Sequence, residues 1–443
     1  MKTKSAIIVP NCSDYNRGDQ ALVWEAAHLL RNIFKCIDIY IVSSFSVNVA
    51  NEQNLEFGLN VLPGIIRTPR RFKEGNDYIT ENIRTLIILA LNSIYDFFSS
   101  LAVFLFANNT SLCNLFLNKQ QHATIEAFRK SDFVVVKGGG FLHTYGKLRS
   151  IYYIWYQLYY LYLGYRLGKQ IIILPNSYGP FHGPIIIKLL LKHILCKCAF
   201  ISARESISSE TISKILNRQI EVFPDMAYNK RIRNSIDKSV LIKSYSIPID
   251  SKLCVGITLR PYRFPASSNP HYLYEKYIRS FVNFTKHLRS KDFFPVFIAH
   301  VLGPNKHEDD RYAIKEVLSR LHGLDYGYID IPGDHLDLKD IYSHMSYVVG
   351  TRFHSIIFSQ CCNIPSIAIS YGGNKGNGIM SDIGLSEYTI RIEDITSKSL
   401  CSKFDSLVEN TPIIKKQLNE WLKSAHKRHE RMEQIVRDIL KDK

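Results

Sequence analysis

Short, nearly unbroken apolar runs recur along this chain, separated by longer segments in which apolar residues return every three to four positions. The runs lie at 6–10, 37–42, 133–137, 170–175, 200–202, 253–259, 294–300, 347–350 and 365–370. A strand covered on both faces reads in this continuous way, whereas a strand with one wet face alternates. Continuous strands alternating with helical stretches predict the α/β class, with parallel sheets sandwiched between helices. The stretch 230–252 is polar, basic and weakly periodic, with Pro248 and Asp250 just ahead of a new strand, and this places a boundary between two doubly wound lobes. The expected division is a Rossmann-like lobe at 1–235, a second at 236–411 and a closing helix at 412–443. That helix carries Leu418, Trp421, Leu422, Ile435, Val436 and Leu440 on one face and is expected to pack across the lobes. Ligands of such sheets sit beyond the carboxyl ends of the strands, so the chemistry is expected in the cleft between the lobes.

One segment is out of pattern. Residues 86–106 read LIILALNSIYDFFSSLAVFLF and are followed by apolar 112–117, an apolar helical insertion in the first lobe at about 84–117. Asn92, Ser93, Asp96, Ser99 and Ser100 fall three to four apart and would form one polar stripe on a helix. A carboxylate in mid-span argues against a membrane-crossing helix. Two readings stay open: a helix lying in a membrane surface, aided by Arg67, Arg70, Arg71 and Lys73, or a cover packed on the first lobe or on a second subunit of a homo-oligomer. The aromatic run at 151–165, IYYIWYQLYYLYLGY, is one helix long and predicts core or interface packing.

Composition narrows the class without choosing a function. The 443 residues, 46% hydrophobic and 22% charged, describe a globular chain of about two domains and exclude fibrous and disordered classes. The excess of 56 Lys+Arg over 40 Asp+Glu, a formal +16, favours anionic partners. Its basic residues are scattered and lack zinc-finger, RNP or zipper patterns, so no nucleic-acid partner is expected. Nine cysteines without CxxC pairing read as free thiols in a reducing cytoplasm. The first apolar run is too short for a secretory leader, which fits a cytoplasmic location, peripheral on the inner membrane face if the apolar helix meets lipid.

The candidate chemistry sits where strands end. Asn16-Arg17-Gly18-Asp19 follows the first strand and opens a helix, a seat for an anion or sugar hydroxyls, and Asp19 is either a base for an attacking hydroxyl or a helix cap. Lys137-Gly138-Gly139-Gly140-Phe141 follows another strand, where glycines admit close approach of a ligand or make a tight turn. It is not the dinucleotide fingerprint. Asn176-Ser177-Tyr178-Gly179-Pro180, Ala203-Arg204-Glu205 and Pro224-Asp225-Met226-Ala227 are expected as further loops on the same rim. In the second lobe, Arg260 closes a strand and Arg352 follows another, a two-armed clamp suited to carboxylate and phosphate. His354, two residues on, is either a proton shuttle at a helix N-terminus or a structural histidine. Lys375, in the Gly-rich stretch 370–378, is either a phosphate contact or a solvated turn lysine.

Taken in order, NRGDQAL, GGG with Phe141, NSYGPF, ISARES, PDMA, GITLR, VGTRFHS and SYGGNKGNGIMSDIGL resemble the polysaccharide pyruvyl transferase family, and most closely its colanic-acid pyruvyl transferase branch. The resemblance implies two GT-B-like lobes that move the pyruvate unit of phosphoenolpyruvate onto a sugar of a surface polysaccharide or its lipid-linked precursor. It places phosphoenolpyruvate on Arg260 and Arg352, with Lys375 beside them. It makes His354 the catalytic acid or base with Asp19 assisting, and gives the acceptor to Asn16, Gly139, Gly140, Asn176 and Ser177. Asn176 stands where many members have Gln or His, and the insertion at 84–117 is likewise off pattern. No metal or cofactor is expected, since the chemistry requires none and no HExxH or dense carboxylate cluster is present. The competing reading is a GT-B glycosyltransferase using a nucleotide sugar, since fold does not fix function; a third is a catalytically silent scaffold at a membrane-bound assembly complex.

Overall fold

The computed structural model of the chain describes residues 3–43, 50–67, 83–146, 149–229, 231, 233, 236, 238–265, 267–372 and 375–441. Two parallel sheets organise it. The first contains β1 (Lys4–Val9), β2 (Ile37–Ser43), β3 (Asn60–Pro63), β4 (Phe133–Val136), β5 (Gly139–Tyr145), β6 (Gln170–His182) and β7 (Phe200–Ala203), in the order β3-β2-β1-β4-β6, with β5 and β7 also on β6. The second contains β8 (Cys254–Thr258), β9 (Phe294–Ile298), β10 (Gly327–Ile329), β11 (Tyr347–Gly350), β12 (Ser366–Ser370) and β13 (Thr389–Arg391), in the order β10-β9-β8-β11-β12-β13. The second order is the doubly wound 3-2-1-4-5-6 arrangement, whose ligand crevice opens where strand order reverses, between β8 and β11; in the first sheet the reversal falls between β1 and β4.

The continuous apolar runs have the expected cause. In β1, Ala6 and Ile8 join the core on one face of the sheet while Ile7 and Val9 join the core on the other, all fully buried. The first of these cores also runs through helix Arg17–Ile33, the second sheet and the closing helix Thr411–Lys441. The closing helix touches both lobes: His429 Nε2 donates to the Pro224 carbonyl (3.0 Å), Arg431 pairs with Glu221 (2.7 Å), and Gln417 donates to the Ile383 carbonyl (2.7 Å).

Two expectations need correction. The segment after the 170–175 run is not a loop: β6 continues to His182, so Asn176 to Pro180 lie within the strand. The glycine triplet likewise does not end in a turn, because Gly139 and Gly140 begin β5, whose Gly139 is in register with Asn176 and whose Tyr145 is in register with His182. The two extensions form together. Each supplies the main-chain partners that the other's polar sequence would otherwise leave unsatisfied. The nine cysteines are free, Cys36 and Cys196 exposed.

The insertion forms helix Ile83–Leu105 and a short helix Thr110–Asn114, and the aromatic run forms helix Arg149–Arg166. Of the basic run, Arg70, Arg71 and Lys73 lie outside the described residues.

Candidate functional site

The first lobe brings Asn16, Asp19 and Lys137 together. Asn16 is the N-cap of helix Arg17–Ile33: its Oδ1 accepts the N–H groups of Gly18 (3.0 Å) and Asp19 (3.3 Å). Asp19 is therefore not the cap. Its carboxylate instead accepts from Asn16 Nδ2 (2.9 Å) and pairs with Lys137 Nζ (3.2 Å), which rises from the end of β4. Lys137 is largely buried while Asp19 keeps about a third of its side chain open, 4% against 36%, so the carboxylate is the more open member of the pair.

The second lobe contributes Arg352 and His354. Arg352 caps the nine-residue helix Phe353–Cys361, and its Nε donates to Asp310 Oδ1 at 2.7 Å, with Nη2 donating to the Glu308 carbonyl. Asp310 is buried and its other oxygen accepts the N–H groups of His300 (3.0 Å) and Val301 (2.9 Å). Burial works against charge on Arg352, but contact with Asp310 outweighs it and holds the guanidinium protonated, above its ordinary value. Arg260 is placed differently from Arg352. It stacks on Tyr371, its guanidinium carbon 4.2 Å from the ring centroid, and its buried Nε has no hydrogen-bond partner among the described residues.

His354 reaches across the lobes. Its Nε2 stands 3.9 Å from Asp225 Oδ2, and its ring lies so close to Gly18 that a Cβ there would fall 2.1 Å from Nδ1. Asp225 is held by Arg204 (2.6 Å), Arg204 Nε donates to Ser177 Oγ (2.7 Å), and Ser177 donates to Glu205 (2.7 Å). Burial would raise the Asp225 carboxyl, but Arg204 and then His354 outweigh it and keep it below the ordinary carboxylate value. The ionised carboxylate thus faces the His354 ring from the first lobe.

These groups converge on one cleft of about 200 Å³, walled by Asn16, Asp19, Lys137, Gly139 and Gly140 from the first lobe and by His300, Arg352, His354 and Tyr371 from the second. The lobes are stitched at its floor: Asn16 and Val301 form an antiparallel bridge, Leu302 donates to the Tyr15 carbonyl (2.8 Å) and Arg17 to the His300 carbonyl (3.3 Å). Asn176 and Ser177 are not on this wall; both are buried, Ser177 in the network under Asp225. Arg260 reaches the wall only through Tyr371. Lys375 opens helix Lys375–Asp382, and its side chain lies outside the described residues.

Sequence reasoning passed over Lys137, His300 and Tyr371 as site residues. His300 had a signal, since it ends an apolar run at the carboxyl end of a strand, the position where ligand groups collect. Its Nε2 is buried without a hydrogen-bond partner among the described residues. Burial, then the charges of His354 and Arg352, push the ring far below the ordinary histidine value, so it is neutral. Among the described residues no group of three or more His, Cys, Asp or Glu is gathered as a metal site would need.

Several solved structures share the architecture. Staphylococcus aureus MnaA, solved with UDP, superposes with a TM-score of 0.54 at 11% identity over 94% of this chain and 91% of that one. A UDP-GlcNAc 2-epimerase of Methanocaldococcus jannaschii, in complex with UDP-GlcNAc and UDP, gives 0.51 at 12% over 91% and 92%. A UDP-glucose:anthocyanidin 3-O-glucosyltransferase in complex with UDP gives 0.54 at 10% over the full length of both. At such identities the likeness establishes the fold, two parallel α/β lobes of the GT-B glycosyltransferase and epimerase type. No curated protein sequence matches the chain. A family model does: polysaccharide pyruvyl transferase, over residues 16–373, a span that begins at Asn16 on one wall of the cleft and passes Arg352 and His354 on the other, and the chain belongs to that family.

Proposed function

We propose that the protein transfers the pyruvate unit of phosphoenolpyruvate to two hydroxyls of one sugar in a surface polysaccharide or its lipid-linked precursor, releasing phosphate and closing a ketal. The observation that carries the reading is the convergence of Arg352 and His354 from one lobe with the Asp19–Lys137 pair from the other on a single cleft. Phosphoenolpyruvate presents a carboxylate and a phosphate, and Arg352 and Lys137 supply two fixed cations on opposite walls; Arg260 supports Tyr371 between them.

His354, with the Asp225 carboxylate 3.9 Å behind its ring, delivers a proton to C3 of the donor, which builds positive charge at C2. The first sugar hydroxyl adds to C2 and gives up its proton, with Asp19 as the acceptor on the facing wall. The C2–O bond to phosphate then breaks, and the second hydroxyl closes the ketal. One hydroxyl proton replaces that delivered to C3 and the other leaves with phosphate, so the step balances without an oxidant or reductant.

Thermal unfolding with and without millimolar phosphoenolpyruvate tests the donor, because a ligand that binds only the native state stabilises it by about 2.7 kcal/mol at a hundred times its Kd. The wild type is expected to show the increment, Arg352→Ala to lose it, and His354→Ala to keep it while turnover falls by roughly 10²–10⁴. Arg352→Ala melts lower by itself because Asp310 is left buried and unpaired, so the quantity compared is the ligand-induced increment. An increment from a nucleotide sugar and none from phosphoenolpyruvate would replace this reading with glycosyl transfer.

A further inference from the structure

Helix Ile83–Leu105 leaves an apolar stripe in water and turns polar side chains inward. Its buried residues are Asp96, Ser100 and Val103, and Ser100 accepts from the Trp155 indole N–H at 2.9 Å. Leu91, Ile94, Tyr95 and Phe98, by contrast, are each more than half exposed. Asp96 and Ser100 face the lobe together with Phe97, Leu101, Val103 and Phe104, which pack on its core, and a second apolar stripe faces outward, one that a cover over the core does not account for.

A second helix continues the face. Helix Arg149–Arg166 lies between Ile83–Leu105 and Ile185–Leu195: Tyr162 meets the Phe104 ring at 6.1 Å on one side and donates to the Leu190 carbonyl (2.9 Å) on the other. On Ile185–Leu195, Ile185 and Leu189 are more than half exposed, and Lys188 and Lys192 stand exposed beside them. Arg84, Arg166 and Lys197 are exposed on the same group of elements. Carboxylates are missing from it: Asp96 is the only Asp or Glu in Ile83–Leu105, it is turned inward, and none occurs between Asp132 and Glu205.

We infer that this face, made by the outward stripes of Ile83–Leu105 and Ile185–Leu195, docks on a bilayer containing anionic lipid. Apolar side chains enter the interface while the lysines meet acidic headgroups. The contacts of Ser100 with Trp155 and of Arg166 with the Leu105 carbonyl (3.3 Å) tie the helix to its lobe, so it lies along the surface without crossing it. A second copy is the weaker occupant, because a two-fold interface would set this cationic face against itself.

Co-sedimentation of the full chain with phosphatidylcholine vesicles, with and without phosphatidylglycerol, decides the matter. Binding is expected to require phosphatidylglycerol, and to fall by roughly tenfold or more in Lys188→Glu/Lys192→Glu and again in Ile94→Glu/Phe98→Glu. All four positions are outward-facing, so melting temperatures should be unchanged, and a salt titration of the unaltered chain gives an independent reading, with binding lost as ionic strength rises. Failure to bind either vesicle would overturn the inference, as would equal binding to both. A dimer abolished by Ile94→Glu/Phe98→Glu, with no vesicle binding, would overturn it in favour of a second copy.

Discussion

At Gly18 one missing methyl group decides whether the two lobes can share a histidine. An alanine near the start of a helix would ordinarily help it by up to about 1 kcal/mol. Here the Cβ would meet Nδ1, Cγ and Cβ of His354 at 2.1, 2.4 and 2.7 Å, and those atoms are ring and stem, not the loose end of a flexible chain. The ring must move, and Asp225 at 3.9 Å loses its alignment with Nε2. A displacement of about an ångström at a proton donor costs on the order of 10² in rate. Gly18→Ala is therefore expected to lower turnover about a hundredfold while leaving the phosphoenolpyruvate-induced rise in Tm in place, since Arg352 and Asp310 are untouched. Turnover at the wild-type level in that variant would show that the ring need not sit where the structure puts it.

At the scale of elements, the site depends on strands holding polar residues in a dry interior. Ser177 in β6, Arg204 at the end of β7 and Asp225 downstream form one buried network with Glu205, and Arg204 is the cation that reaches both carboxylates: 2.6 Å from Asp225 and 3.6 Å from Glu205. Taking away that cation strands two carboxylates in the interior, which costs about 3–5 kcal/mol. Arg204→Ala should show this loss in denaturant unfolding, and a change below about 1 kcal/mol would mean that the carboxylates find other partners. The network also explains what was legible in the sequence. Strands such as β1 and β8 could be read from apolar runs because burial on both faces leaves a local mark. Asn176 and Ser177 looked like loop residues because the groups that satisfy Ser177 lie 27 and 28 positions away, and nothing local announces them. The same limit applied to Arg352, whose place in the site was legible while its partner Asp310, 42 positions upstream, was not. For Ile83–Leu105 the polar stripe could be read, but not the direction it faces. The three- and four-residue strands β3, β10 and β13 are too short to show a period.

Across the whole molecule, the seam between the lobes carries two histidines that burial keeps neutral. His300 lies at the cleft, and His335 packs edge-on against Trp24 of the first lobe at 4.8 Å while its backbone N–H donates to Gln20 Oε1 at 2.9 Å. Burial comes first in lowering both, followed by His354 and Arg352 for His300, and by Lys339 and Arg231 for His335. A folded-state value below the unfolded one means that the unfolded chain binds more protons, so the stability these groups contribute is complete above the unfolded value near 6.5 and is lost as pH falls beneath it. Between pH 7 and 5.5 each histidine then accounts for on the order of 1 kcal/mol, roughly 2 kcal/mol together. Urea unfolding at the two pH values should show a loss of this order in the wild type. In His335→Leu the drop should shrink by about half of that amount, because leucine keeps an apolar group against Trp24 and takes up no proton. An unchanged drop would take His335 out of the account and leave the acid sensitivity to His300 and to His28 and His429, which burial also depresses.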